Sequence, residues 1–251
     1  LGRPDTVSYA NGVKEITRYD THRGWLVEKK YVDGDSLLFS IDHSSSGAYD
    51  KTGNLKKVIY RYGSTSTDSM EYDYDDLYRL IQFKHNGTVK KEYAYDANGN
   101  RADKNSESFL YANDNNQLTE YRNTDAQDHD TTAYVFDAIG RVDTLGGTDV
   151  GYDLFNNMTS FGSDTYAYDA FGQRIRKSES GDSTYYITSG MQILSEYNSD
   201  DELVSEYIYA NGRRICAYQP DQGYLWYYTD HLGSTRRLDG SGSSSSDMRR
   251  D

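Results

Sequence analysis

Along most of this chain apolar and polar positions alternate with a period of two, and the apolar member is usually an aromatic ring. Tyr72 and Tyr74, Tyr93 and Tyr95, Tyr134 and Phe136, Tyr166 and Tyr168, and Tyr207 and Tyr209 are each two apart. On a strand both rings of a pair share one face, while Asp73, Ala94, Val135, Ala167 and Ile208 point the other way. On a helix the same spacing would send the rings to different faces, so the pattern predicts strands. A turn then follows: Thr52-Gly53, Asn98-Gly99 and Asn211-Gly212 offer the positive φ that a short hairpin loop with a bulge demands. The return strand carries a polar or basic residue and an apolar one. Only two prolines occur, in keeping with a sheet whose ladder needs every N–H donor.

The pattern repeats as a phrase. It reads YDANGNR from Tyr95, FDAIGRV from Phe136, YDAFGQR from Tyr168 and YANGRRI from Tyr209. Looser copies begin at Tyr19 and Tyr49, and degenerate ones at Tyr72, Tyr111 and Tyr152. The shorter gaps between copies, 16 to 25 residues, fit two strands and two turns at roughly 5–6 residues a strand. The long gap before Tyr209 holds a further pair of predicted strands, Tyr185-Tyr186-Ile187 and Gln192 to Tyr197. Self-similarity at such a period predicts an array of stacked hairpins. Rings of successive units would then lie side by side, each aromatic pair contributing roughly 0.5–1.5 kcal/mol beyond burial. Arg101, Arg141 and Arg174 sit across the turn from the ring, placed to pair with a motif Asp or to stack on a neighbouring ring. The degenerate copies are where stacking is expected to yield to a partner.

Composition alone would point elsewhere. Leu, Ile, Val and Phe make up only 43 of 251 residues, and the net charge is −13, a profile that normally signals disorder. The 26 tyrosines reverse that reading. Each buried ring removes roughly 150–250 Å² from water and keeps a hydroxyl for a polar partner. The expected fold is therefore all-β, a spiral of stacked hairpins with a polar, aromatic interior and few or no helices. The acidic balance argues against a nucleic-acid partner and against docking on anionic membranes. No apolar run is long enough to span a bilayer. Cys216, the lone cysteine, reads as a buried thiol. Residues 1–70 carry degenerate repeats, 71–184 the best-defined hairpin array, and 240–251 a flexible Gly/Ser tail.

These residues resemble the Rhs, or YD-repeat, family, which includes the related region of teneurins. The stretch 185–239 is similar to the Rhs-associated core, above all in Trp226-Tyr227-Tyr228-Thr229-Asp230-His231-Leu232-Gly233-Ser234. The resemblance implies a hairpin spiral winding into a shell or barrel. In longer members the shell encloses a toxic C-terminal domain; others are adhesive surface or secreted proteins. Neither Pro4 nor Pro220 follows an Asp, so the Asp-Pro-Gly type of self-cleavage region is not recognisable. The chain ends about a dozen residues after Asp239-Gly240, and the scaffold is expected here without the toxin.

No catalytic, cofactor or metal residues are assigned. The five histidines form no metal-ligand spacing. Asp128-His129-Asp130 reads as a solvated loop. Asp96-x-Asn98-x-Asn100 imitates a calcium loop, but Gly99 falls at the fourth position and no acidic residue closes the loop, so a hairpin turn is expected. Asp230-His231 with Ser234 suggests a hydrolase, yet strand neighbours point to opposite faces and Asp230 could not orient His231. Three functions remain in order. The first is a non-enzymatic extracellular or cell-envelope scaffold, self-associating or joined to another envelope protein. The second is a polysaccharide-binding module using Trp25 and Trp226. The third is a toxin shell without its cargo.

Overall fold

A computed structural model of the chain describes residues 5–64, 66–113, 115–125 and 130–240, and the backbone of 246–247. None of these is helical. The first strands are β1 (Thr6–Ser8), β2 (Lys14–Tyr19), β3 (Leu26–Asp33), β4 (Ser36–Asp42), β5 (Lys57–Tyr62) and β6 (Ser66–Tyr74). Next come β7 (Leu80–His85), β8 (Thr88–Tyr95), β9 (Arg101–Lys104), β10 (Glu107–Tyr111), β11 (Leu118–Asn123) and β12 (Asp130–Phe136). The array continues through β13 (Val142–Leu145), β14 (Thr148–Tyr152), β15 (Met158–Phe161), β16 (Asp164–Tyr168), β17 (Arg174–Glu179) and β18 (Asp182–Ser189). It ends with β19 (Gln192–Tyr197), β20 (Leu203–Ala210), β21 (Arg213–Gln219), β22 (Gly223–Thr229), β23 (Thr235–Gly240) and β24 (Ser246–Asp247). Every strand pairs antiparallel with the next, giving one continuous ribbon. Of the expected tail, Gly240 completes β23 and Ser246–Asp247 form β24; its other residues lie outside the described ones, as do Asp128 and His129.

Two kinds of turn alternate along the ribbon, and a meander puts them on opposite rims. On one rim stands the motif turn. In it Asp50, Asp75, Asp96, Asp137, Asp153, Asp169 and Asp230 each accept, at Oδ1, the N–H groups two and four residues on. The second carboxylate oxygen takes the fifth residue's side chain, as in Asp96 with Asn100 Nδ2 (3.0 Å) and Asp137 with Arg141 Nε (2.7 Å). These bonds explain why Asp rather than any polar residue follows the ring: the side chain satisfies turn N–H groups that no strand can reach. The resemblance of residues 96–100 to a calcium loop is thus a turn, with Gly99 at φ +89°. On the other rim lie tight turns such as Asn86-Gly87, with both residues left-handed. From β18 to β21 the order is exchanged: Gly190-Met191 and Asn211-Gly212 are tight turns on the motif rim, while on the other rim Asn198 Oδ1 accepts the N–H groups of Asp200 and Glu202 as a motif Asp does. The degenerate copies at Tyr74 and Tyr152 fold like the rest, whereas the one at Tyr111 has Ala112 in place of Asp and spans one residue more between its paired ends. Tyr78, Asn116 and Asn156 take the left-handed conformation where the phrase has Gly.

The motif tyrosine locks each unit to the one before it. Tyr49, Tyr74, Tyr95, Tyr111, Tyr152, Tyr168 and Tyr209 donate their hydroxyls to the carbonyls of Leu26, Leu55, Leu80, Arg101, Val142, Met158 and Ile193. The distances are 2.8–3.0 Å, and for all of these but Leu55 and Ile193 the acceptor is the first residue of the preceding return strand. The arginines add a second tie. Arg79 lies 4.5 Å over Tyr95, Arg101 4.1 Å over Phe109 and Arg141 4.6 Å over Tyr152.

Burial is far from uniform. From Gly63 to Leu194 no described residue is buried, and from β7 to β18, beyond Met70 and Tyr72 of β6 that still pack on the core, the ribbon is a single layer. The core lies where the ends overlap. The ring-bearing face of β1–β6, with Tyr31, Phe39, Ile41, Val58, Tyr60 and Tyr62, meets Trp226 and Tyr228 of β22. Tyr227 and Leu225 alternate with those two along β22 and point away from the overlap. The ribbon therefore coils as a scroll in which the ring-bearing face of the N-terminal strands lies against the Trp226 and Tyr228 face of β22.

Phe136 occupies the lock position of its unit without a hydroxyl, and its counterpart acceptor is the Leu118 carbonyl. Phe136→Tyr is expected to raise stability by about 0.5–1.5 kcal/mol, and Tyr168→Phe to lower it by a similar amount. Urea unfolding midpoints of the two variants measure both changes.

Candidate functional site

Among the described residues, buried charged side chains converge where the two ends overlap. Glu15 on β2 is buried with Lys29 on β3, their side chains 3.2 Å apart. Arg213 on β21 reaches across to Glu15 at 3.0 Å, and the Tyr9 hydroxyl donates to the same carboxylate at 2.7 Å. Burial opposes the charge on Glu15. The Arg213 hydrogen bond, the Lys29 ammonium and the Tyr9 hydroxyl outweigh it and hold the carboxyl down at about 2. Burial pushes the Tyr9 hydroxyl far up, so it keeps the proton it donates to Glu15 while accepting from Arg213 Nη2.

Main-chain contacts finish the closure. The Tyr31 hydroxyl donates to the Thr229 carbonyl at 3.1 Å, and Lys29 Nζ to the Asp230 carbonyl at 3.3 Å. Asn11 donates to the Tyr228 hydroxyl (3.1 Å), and Arg237 to the Leu38 carbonyl (3.2 Å). The Tyr31 and Tyr228 rings stand 4.8 Å apart, and Arg236 lies 5.0 Å over Tyr60. Each of these contacts joins residues more than 170 positions apart in sequence, so the chain's two ends are held by side chains and not by strand pairing.

The residues singled out for chemistry are structural in this setting. Asp230 is buried, and its carboxylate is taken by Leu232 N–H, Ser234 N–H and Arg236 Nε, all at 2.8–2.9 Å. Nothing of it is left to orient His231. That imidazole stands edge-on to His43 instead, with 5.2 Å between ring centroids. His43 is buried beside the Tyr49 hydroxyl, the Leu26 carbonyl and Asp42. Burial, then repulsion from His231, drives its pKa down to about 4. Cys216 is buried and free, its thiol pushed up to about 11 by burial. Among the described residues no cluster of three or more His, Cys, Asp or Glu could hold a metal ion. Trp25 packs on Tyr49 at 4.9 Å under Arg23, and Trp226 joins the core. The Glu15–Lys29–Arg213 group has no signal in the sequence. Its members belong to weak repeats far apart in the chain, and only closure of the scroll brings them together.

Two expectations follow for the overlap. Glu15→Ala leaves Lys29 buried without its partner, and is expected to lower stability by about 3–5 kcal/mol. Acid should loosen the same seam. Below about pH 6.5 the unfolded His43 takes up a proton that the folded one refuses until about 4. Below about 4.5 the unfolded Glu15 is protonated while the folded one stays ionised until about 2. Both groups therefore stabilise the fold at neutral pH and lose that contribution as pH falls. Urea midpoints should drop between about pH 6.5 and 4 with a slope of up to about 1.4 kcal/mol per pH unit, and His43→Gln should flatten it.

A family model described as the teneurin YD-shell matches residues 6–244. Two relatives are the tRNA3(Ser)-specific nuclease WapA of Bacillus spizizenii and the tRNA nuclease WapA of Bacillus subtilis (strain 168), each 27% identical over 188 and 175 residues. They align with 68% and 63% of this chain, which spans only 8% and 7% of their lengths. A Photorhabdus luminescens Tc holotoxin pore superposes with a TM-score of 0.54 at 14% identity, over 94% of this chain and 16% of that one. That last likeness is one of fold. With the family match running from β1 past the end of β23, on a hairpin ribbon locked by its motif tyrosines, the chain belongs to the teneurin YD-shell family.

Proposed function

We propose that this chain is a non-catalytic wall segment of an extracellular shell, of the type that toxin assemblies use. The observation that carries this reading is the single layer. Among the described residues no second layer of strands packs on the ring-bearing face from β7 to β18, although a compact globule of this length would cover it. β3 and β22 meet after nineteen strand steps. At about 4.8 Å a step, the ribbon runs about 90 Å and encircles a bore about 30 Å across between strand axes. A wall of this construction encloses space and needs no active site of its own. The relatives named as nucleases match over less than a tenth of their length, which suits a shared wall with the chemistry housed elsewhere. The natural partners are further segments of such an assembly at the cell surface or outside it. The divisions at about residues 70, 184 and 239 mark successive parts of this wall.

Polysaccharide binding has less behind it, since Trp25 and Trp226 are engaged in packing. Contact with nucleic acid is opposed by a net charge of −13. Small-angle scattering tests the central claim. The distance distribution is expected to be that of a thin-walled ring, and a solid compact particle would overturn it. Incubation with total tRNA is expected to leave the RNA intact; turnover by the purified chain would overturn the non-catalytic part.

A further inference from the structure

The two rims of the ribbon differ in chemistry as well as in turn type. On the motif rim the third residue of each turn projects beyond the sheet. It is His22, Thr52, Leu77 or Asn98 in the early units, Ile139, Phe155 and Phe171 in three consecutive motif turns with Asp bonds, and Leu232 in the last. Phe155 is 85% and Phe171 88% exposed, with Leu154 at 99% and, on the next turn of the same rim, Met191 at 95%. The same backbone turn forms around Thr52 and Asn98, with the same Asp bonds. Local folding therefore does not call for an apolar side chain here. The opposite rim has only Gly146-Gly147 and Gly162-Ser163 at its first two turns here, and from β17 to β20 carries exposed Glu179, Asp182, Asp200, Asp201 and Glu202.

Successive turns on one rim are two strands apart, so these side chains recur about every 10 Å. Between Phe155 and Phe171 lies a groove of about 640 Å³, floored by Thr159, Tyr166 and Tyr168. A second rim of the same period, turned to run the other way, would set each ring into the groove between two rings of the first. The turn carboxylates Asp153 and Asp169 already hold N–H groups of their own turns, so the contact need break none of those bonds. The exposed apolar side chains offer roughly 600–800 Å², close to the 800 Å² or so per partner that a stable interface needs.

We propose that two copies of this chain associate through this apolar rim, around Ile139, Leu154, Phe155, Phe171 and Met191, with their acidic rims facing outward. The contact is isologous and closes on itself, giving dimers and not fibres. It goes beyond the wall reading, since a wall segment can be monomeric. Sedimentation velocity from micromolar to millimolar protein, at low and high salt, is the test. A dimer is expected, favoured by salt because screening relieves the repulsion between acidic chains. Phe155→Asn with Phe171→Asn, residues of a kind the same turn already accepts, should weaken it about a hundredfold. The circular dichroism spectrum should be unchanged. Asp182→Asn with Asp201→Asn on the other rim should leave the dimer as strong or stronger. A monomer at every concentration would overturn the proposal and leave the rim to a different partner, and so would a dimer that survives loss of both rings. Scattering from either species still reads the ring shape separately.

Discussion

The hydroxyl-to-carbonyl bond of the motif tyrosine is the constraint on which this structure rests. A single-layer sheet has no second sheet to fix its curvature, and strand pairing alone leaves a ribbon free to twist. Each of these tyrosines reaches from its own hairpin to the main chain of the hairpin before it. The bond thus sets the angle between successive units. Arginine from the return strand closes over an aromatic ring on a neighbouring strand, shielding apolar surface while its guanidinium stays wet. Such a contact needs a residue that is mostly ring and ends in a donor, and no aliphatic side chain meets that demand. The unusual composition is the direct consequence.

Curvature accumulated over many units brings the ends together, and there the chemistry changes. In the overlap, rings become fully buried and a buried carboxylate is held between a lysine and an arginine. A buried ion pair is weak evidence for stability, since hydrophobic replacements can do as well. It is better suited to fixing which strand meets which. Glu15, Lys29 and Arg213 are satisfied only when β2 and β3 face β21, so a scroll wound one strand too far or too short would bury unpaired charge.

The fold was legible because its signal is local and repeated. Alternation of Tyr72 with Tyr74, or Tyr166 with Tyr168, marks strands directly, and the recurrence of Asp and Gly marks turns. What the local pattern could not supply was which repeats are equivalent. The copies at Tyr74, Tyr111 and Tyr152 look degenerate because their turns lack Gly, yet Tyr78, Asn116 and Asn156 adopt the same left-handed geometry and the lock is kept. Glycine is the visible mark of the turn in sequence, whereas the aspartate contributes more by gathering N–H groups. The overlap was illegible for a different reason. Tyr31 and Tyr228 meet only after the whole ribbon has turned, and no window of sequence contains that distance. Asp230 does not orient His231, as their adjacency on a strand suggested, but the cause is different: the turn and Arg236 take its oxygens.

The alternation of two turn types has a consequence for how such proteins change size. A hairpin added anywhere in the single-layer stretch would find its acceptor carbonyl in the unit before it and offer its own to the unit after. It would restore both rims and both faces. A lone strand would invert every turn beyond it. Lengthening therefore proceeds two strands at a time, and each step adds about 10 Å to the perimeter, or about 3 Å to the bore. Internal capacity in this architecture is a graduated quantity, set by counting hairpins.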